Sequence, residues 1–163
     1  MGQKTQAEKN AFDKAMQAFA RTKLGGKLFI GVIPAIDKRM MPLTGGRVRV
    51  AVGQPILLLH ARGAKTGAPR ETPLLYCSRG DQIVLVASKA GAERHPSWYH
   101  NLVANPDVEV EIKGKRRPVL AREAQGEERA ELWRFVNDIY NGYDVYAARA
   151  TGRTIPVMVL EPR

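Results

Sequence analysis

The chain has a single cysteine, Cys77, among its 163 residues. That excludes an internal disulfide framework and any metal site built on several thiolates. The three histidines, His60, His95 and His100, do not fall at the spacing of a helical zinc motif, so no metal is expected. No ordering of Ser, His and Asp marks a nucleophilic triad. Long apolar runs are missing too: no stretch reaches the roughly eighteen residues that a membrane-crossing helix needs. Met1-Gly2-Gln3-Lys4 opens a polar segment with no apolar core. A secretory leader is therefore not expected, and a cytoplasmic setting is. Acidic residues are the minority charge, 16 against 26 Lys and Arg, for a net of +10. There are no internal repeats and no low-complexity tracts.

What is present suits one globular domain. Hydrophobic residues make up 44% and charged residues 26%, ordinary values for a chain able to bury a core. The charge is uneven. Residues 1–49 hold ten Lys/Arg and three Asp/Glu, a net of +7, and residues 50–163 hold sixteen and thirteen, a net of +3. Nucleic acid, an anionic membrane surface, an anionic cofactor tail and a plain solvated face all fit such an excess. No recognition helix, zinc pattern or aromatic RNA-binding motif accompanies it, so no nucleic acid is expected.

The first part of the chain reads as a basic amphipathic helical segment over residues 1–46. Phe12, Ala15, Met16 and Phe19 recur at helical spacing, Gly25-Gly26 stops the helix, and Gly31 and Pro34 break the next apolar run. Residues 1–24 suit weak peripheral contact with the inner face of the cell membrane, or packing on the rest of the protein.

A strand-rich domain follows over 47–163. Arg47–Val52 alternates with period two, and Pro55–Ala61 is a continuous apolar run. Thr72–Cys77 and Ile83–Ala87 are two further strands around the turn Ser78-Arg79-Gly80-Asp81. Pro96 opens a short helix to Ala104, and Pro106 prevents its continuation. Val108–Ile112 and Pro118–Ala124 form a hairpin around Lys113-Gly114-Lys115. Glu127–Tyr140 is a helix whose apolar stripe is Ala130, Leu132, Trp133, Val136 and Tyr140, and Ile155–Leu160 is a last strand. Short strands in hairpins with helices at the crossings predict an antiparallel barrel of the α+β class.

Two segments carry the chemistry. One is Gly63-Ala64-Lys65-Thr66-Gly67-Ala68-Pro69-Arg70. The other is Ala87-Ser88-Lys89-Ala90-Gly91-Ala92, followed by His95-Pro96-Ser97-Trp98-Tyr99-His100-Asn101. Each sets small residues, a hydroxyl and a cation at the end of an apolar strand, a pattern that surrounds a phosphate with N–H groups and positive charge. The aromatic run beside the second suggests a flat, phosphorylated, aromatic ligand. The first is no Walker loop, because alanine precedes Lys65. Trp98 and Tyr99 also suit a core position, and Tyr140, Tyr143 and Tyr146 also suit one packed helix face. Cys77, inside a strand, reads as inert core.

Taken in order with Thr72-Pro73-Leu74, Leu102-Val103-Ala104-Asn105-Pro106, Tyr140 to Tyr146 and Arg153-Thr154-Ile155-Pro156-Val157, these segments resemble the deazaflavin-dependent nitroreductase family. Its members are quinone and nitro reductases that use coenzyme F-420, an 8-hydroxy-5-deazaflavin. The resemblance covers about residues 47–163 and implies a split β-barrel, flavin-reductase-like, an antiparallel Greek-key barrel with flanking helices. It implies hydride transfer to a small electron-poor acceptor: a quinone, a nitroaromatic or an activated enone. It implies cofactor contacts from Ala64, Lys65, Thr66 and Arg70, from Thr72 and Pro73, and from Val86, Ala87, Ser88 and Lys89. Ser97, Trp98, Tyr99, Asn101 and Tyr143 complete that set. Tyr140, Tyr143 and Tyr146 would face the substrate, and Ser88, Tyr143 and Tyr146 would be catalytic. Two positions depart from the family pattern: Ala64 where a cation is common, and Ala90 where a second glycine is common. The alternatives are a flavin mononucleotide oxidoreductase on the same barrel and a non-catalytic lipid- or cofactor-binding module.

Overall fold

The computed structural model describes residues 55–140 and 142–163. The 1–46 helical segment, its boundary with the barrel, the Arg47–Val52 strand and the membrane face of residues 1–24 lie outside them. Seven strands, β1 Ile56–Arg62, β2 Pro69–Leu75, β3 Cys77–Arg79, β4 Gln82–Val86, β5 Asp107–Ile112, β6 Lys115–Glu123 and β7 Val157–Pro162, form one sheet. Their spatial order is β2-β1-β5-β6-β7-β4-β3, and every pairing is antiparallel. Three helices accompany them: α1 Ser97–Ala104, α2 Gly126–Ile139 and α3 Gly142–Arg149.

The sheet must curl. Strands β2 and β3 lie at opposite ends of the order, yet Tyr76 alone separates them in sequence. Leu75 and Cys77 can be no more than about 7 Å apart, so the two edges meet at that corner. The expected α+β antiparallel split barrel is what forms.

Alternation along the strands divides the core in two. On β4, Ile83 and Leu85 join one buried cluster and Val84 the other. On β7, Met158 and Leu160 face the first, and Val157 and Val159 the second. The first cluster fills the inside of the curl, and Trp98 and Leu102 of α1 plug it. The second lies beneath α2 and α3, where Leu132 and Val136 meet Tyr143, Tyr146 and Cys77. Strand β1 reads as an unbroken apolar run because it is an inner strand, flanked by β2 and β5.

Several boundaries differ from the sequence reading. Strand β2 starts at Pro69, three residues early, and ends at Leu75. Its first half, Pro69-Arg70-Glu71, is exposed at a sheet edge, so it carries no apolar signal. Cys77 opens β3, and only Gly80-Asp81 make the turn. Strand β6 begins at Lys115, because Lys113 and Gly114, at φ 52° and 77°, close a two-residue hairpin. Pro118 is tolerated inside β6 because β7 pairs only with Val119–Glu123, leaving that side of β6 without a strand among the described residues. The last strand begins at Val157 rather than Ile155. Helix α2 runs Gly126–Ile139, and Ala130 is exposed on it, not part of its buried stripe. Helix α3 was not foreseen as a separate element.

Candidate functional site

The first segment is the β1–β2 hairpin loop. Gly63 N–H donates to the Ala68 carbonyl at 2.9 Å, and Gly67 N–H to the Gly63 carbonyl at 2.8 Å. Gly63 is needed for closeness: a Cβ there would sit 2.7 Å from Thr66 Oγ1 and 3.7 Å from Arg70 Nε. The threonine hydroxyl and the guanidinium therefore converge over its α-carbon, and Thr66 Oγ1 also accepts the Ala68 N–H at 3.3 Å. Helix α1 holds this loop. Ala64 N–H donates to Asn101 Oδ1 at 2.9 Å, and Asn105 Nδ2 to the Arg62 carbonyl at 3.4 Å. Asn101 thus spends its acceptor on the loop, and the Ala64 N–H is already satisfied.

The second segment leaves the end of β4. Ala87 N–H donates to the Pro156 carbonyl at 2.9 Å. After Ser88 the backbone turns left-handed for three residues, with φ of 47° at Lys89, 50° at Ala90 and 79° at Gly91. Ala90 stands where the family pattern favours glycine, and this geometry supplies the reason. Gly91 N–H closes back on the Ser88 carbonyl at 2.9 Å. A Cβ on Gly91 would lie 2.6 Å from the Tyr146 carbonyl and 2.7 Å from Arg149 Cβ, so glycine lets the turn press on α3. The Ser88 hydroxyl is half-buried and has no partner among the described residues.

Arg153 joins this turn to the start of α1. Its guanidinium donates to the Ser88 carbonyl at 2.8 Å, the Ala92 carbonyl at 2.9 Å and the Ala87 carbonyl at 3.3 Å, and lies 3.0 Å from His95 Nδ1. Burial pulls the His95 pKa below the ordinary range, and the neighbouring charge of Arg153 and His100 adds to it, against Glu123. The His95 ring rests on Tyr99 with centroids 4.8 Å apart. Tyr99 donates to Glu123 Oε2 of β6 at 2.8 Å. Its pKa is pushed up to about 12, by burial first and then by Glu123.

The site residues read from sequence fall into three groups. Lys65 and Thr66 project from the β1–β2 loop, Arg70 from the start of β2, and Lys89 from the other turn. Among the described residues none of Lys65, Arg70 and Lys89 meets a carboxylate, whereas Arg79, Arg116, Arg122 and Arg163 all do. Thr72, Pro73 and Val86 are half-buried strand positions, Ala87 is buried, and Ser97 is exposed at the first turn of α1. Trp98 and Tyr143 are core residues, 8% and 6% exposed. Burial raises the Tyr143 hydroxyl well above its ordinary pKa, and burial also raises the Cys77 thiol. Tyr140 and Tyr146 share a hydroxyl–hydroxyl hydrogen bond of 2.9 Å. No hydrogen bond or ion pair among the described residues joins the Gly63–Arg70 segment directly to the Lys89 turn; α1 holds the first, and Arg153 with α3 holds the second. Arg153, Glu123 and Asn105 were not singled out from sequence. Arg153 belonged to a motif quoted for the resemblance, but a lone arginine between a helix and a strand gives no spacing that distinguishes a free charge from a backbone clamp.

Comparison with known proteins adds to this geometry. The sequence profile of the F-420H(2)-dependent quinone reductase family matches residues 35–162. An F-420H(2)-dependent quinone reductase of Mycobacterium tuberculosis is 48% identical over 125 residues, 74% of this chain and 83% of that protein. A solved structure described as an F-420-H2-dependent reductase is 42% identical, covers 66% of this chain and 94% of its own, and superposes with a TM-score of 0.60. A solved domain-swapped dimer, 34% identical, covers 78% of this chain and 97% of its own at a TM-score of 0.62.

Proposed function

Because the chain belongs to the F-420H(2)-dependent quinone reductase family, we propose that it transfers a hydride from reduced coenzyme F-420 to a quinone. The supporting observation is the pair of turns, one held by Asn101 of α1 and the other by Arg153, each offering a cation that no carboxylate of the described residues neutralises. A coenzyme with a phosphate and a polyglutamate tail fits such a donor set. Lys65 and Arg70 hold the anionic tail, Arg70 as a planar fork aligned with Thr66. Lys89 and the Ser88 hydroxyl face the phosphate arm and the ring edge. The bound deazaflavin supplies the hydride, so the protein needs no acid–base pair of its own for that step.

The chain's remaining tasks are to orient, to exclude water and to supply a hydrogen bond where negative charge grows on the acceptor oxygen. Ser88 offers an unpartnered hydroxyl for this, and the Tyr140–Tyr146 pair offers a second hydroxyl site over the packed Tyr143 ring. A quinone takes one hydride and one proton to become a hydroquinone. Nitroaromatics and activated enones accept a hydride in the same way, and we include them as further acceptors.

The test is titration with coenzyme F-420 followed by tryptophan fluorescence, then turnover of the reduced coenzyme with menadione. Lys65→Ala and Arg70→Ala each weaken coenzyme binding about tenfold, as expected for a charge-assisted contact of about 1.5–3 kcal/mol, with little change in Tm. Unchanged affinity in both variants removes the anion site. Turnover with a nicotinamide donor and none with the deazaflavin overturns the assignment.

A further inference from the structure

We propose that Arg153 is a positioning residue for coenzyme binding, a clamp that holds the Ala87–Ala92 segment in its left-handed turn. The proposal rests on the coenzyme reading above. Consecutive left-handed residues are rare in L-amino-acid chains, because Cβ crowds the following carbonyl oxygen. Here Lys89 and Ala90 adopt that conformation with no glycine to relieve them, at φ 47° and 50°. Strain of this kind persists where surrounding contacts over-determine it, and it concentrates at binding sites.

The contacts come from two directions. From one side, Gly91 is pressed against the Tyr146 carbonyl and Arg149 of α3. From the other, Arg153 reaches the carbonyls on both flanks of the turn, Ala87 and Ser88 before it and Ala92 after it. Arg153 is itself anchored, its backbone N–H bonded to the Ala150 carbonyl at the end of α3 at 3.1 Å. No carboxylate pairs with it among the described residues, so its charge strengthens bonds to backbone instead of forming an ion pair. The same guanidinium meets His95 Nδ1 at 3.0 Å. A guanidinium only donates, so Nδ1 is the acceptor and the imidazole carries its proton on Nε2. One side chain therefore fixes the turn that bears Ser88 and Lys89, the tautomer of His95 and the entry into α1.

The experiment compares Arg153→Met, Arg153→Lys and Ala90→Gly, the last alone and in the Arg153→Met background. Coenzyme F-420 affinity is read by tryptophan fluorescence, and amide hydrogen exchange is read on the coenzyme-free protein. Arg153→Met weakens coenzyme binding tenfold or more and speeds exchange at Gly91 and Ala92, while β5 amides keep wild-type rates. The KM for menadione changes less than twofold. Arg153→Lys is intermediate, because an ammonium reaches fewer of these acceptors. Glycine adopts this φ freely, so Ala90→Gly in the Arg153→Met background recovers at least threefold in affinity, while in the wild type it changes affinity less than twofold. Such rescue is not expected of an arginine that merely stabilises the fold. Wild-type affinity in a folded Arg153→Met, or failure of Ala90→Gly to rescue it, overturns the proposal. If Arg153→Met does not fold, unchanged Gly91 and Ala92 exchange in Arg153→Lys overturns it. Absence of coenzyme binding by the wild type removes the coenzyme reading instead, and the exchange rates still decide whether Arg153 holds the turn.

Discussion

Gly91 and Gly67 are both left-handed, with φ of +79° and +64°, but only Gly91 is enclosed. At Gly67 a Cβ meets nothing within 4 Å, so Gly67→Ala costs only the left-handed penalty, about 1–2 kcal/mol. At Gly91 the same penalty is joined by a clash with the Tyr146 backbone 2.6 Å away, which cannot move without shifting α3. Overpacking adds about 1–3 kcal/mol, so Gly91→Ala is expected to cost about 2–5 kcal/mol. Urea unfolding of both variants checks the difference, and equal losses would mean that α3 yields to the new methyl. Gly142 is similarly confined, its missing Cβ occupied by the Tyr140 ring. At this scale the sequence was legible where a residue's type alone sets its place, as for Cys77 in the core. It was silent where a partner decides: sequence alone does not show that Asn101 Oδ1 accepts the Ala64 N–H.

Helix α1 is the element on which the β1–β2 half of the site depends. Trp98 and Leu102 sink into the inner core, Asn101 and Asn105 hold the β1–β2 loop, and Tyr99 ties the helix to β6. Asn101→Ala removes one hydrogen bond, for about 1 kcal/mol. It also frees the Ala64 amide, so that amide should exchange faster and coenzyme binding weaken, while Asn101→Asp keeps the acceptor and the loop. Wild-type exchange at Ala64 in Asn101→Ala would show that the loop closes without the helix. Tyr99 gives the element a pH signature. Its folded pKa of about 12 exceeds the ordinary 10.0, so the folded state holds this proton more tightly than the unfolded chain does. That contribution is fully present below about pH 10 and is lost as the pH rises toward 12. Tyr143 adds a loss of the same sign. Tyr99→Phe is expected to flatten the fall in urea stability above about pH 9, and an unchanged slope would place the alkaline loss on Tyr143 alone. Hairpins and helices with a buried stripe were legible because their periodicity survives in sequence. The exposed half of β2 and the polar start of β6 were not, since edge strands need no apolar face. The tyrosine triad was ambiguous because a three-residue step serves a packed helix and a lined pocket alike; α3 packs Tyr143 and pairs Tyr140 with Tyr146.

At the scale of the whole molecule, the curl of the sheet and the distribution of charge act together. Barrel closure was foreseen only as a class, because strand order depends on which edges meet, and a single residue, Tyr76, settles that here. Charge is a different matter, since it can be read without any coordinates. Of the net +10, residues 1–49 carry +7 and residues 50–163 carry +3, so the cationic surplus is concentrated in the first third of the sequence. Among the described residues no helix is long and apolar enough to cross a membrane. We propose that the surplus acts by surface contact. Respiratory quinones reside in lipid, so a reductase gains substrate by residing at the bilayer surface. Each cation near an anionic leaflet contributes about 1 kcal/mol, and Phe12, Ala15, Met16 and Phe19, which recur at helical spacing in the sequence, would add burial in the headgroup region. Binding to vesicles containing anionic lipid should be weak and should fall as salt rises past physiological strength, because screening shortens the reach of these charges. It should be absent on neutral vesicles and lost when residues 1–24 are deleted, while turnover of menadione by the deleted protein persists. Co-sedimentation with both vesicle types decides the matter. Equal binding by the full chain and the deletion would move the contact to the barrel, and a deletion that fails to fold, with no vesicle binding by the intact chain, would make the segment part of the fold and end the membrane reading.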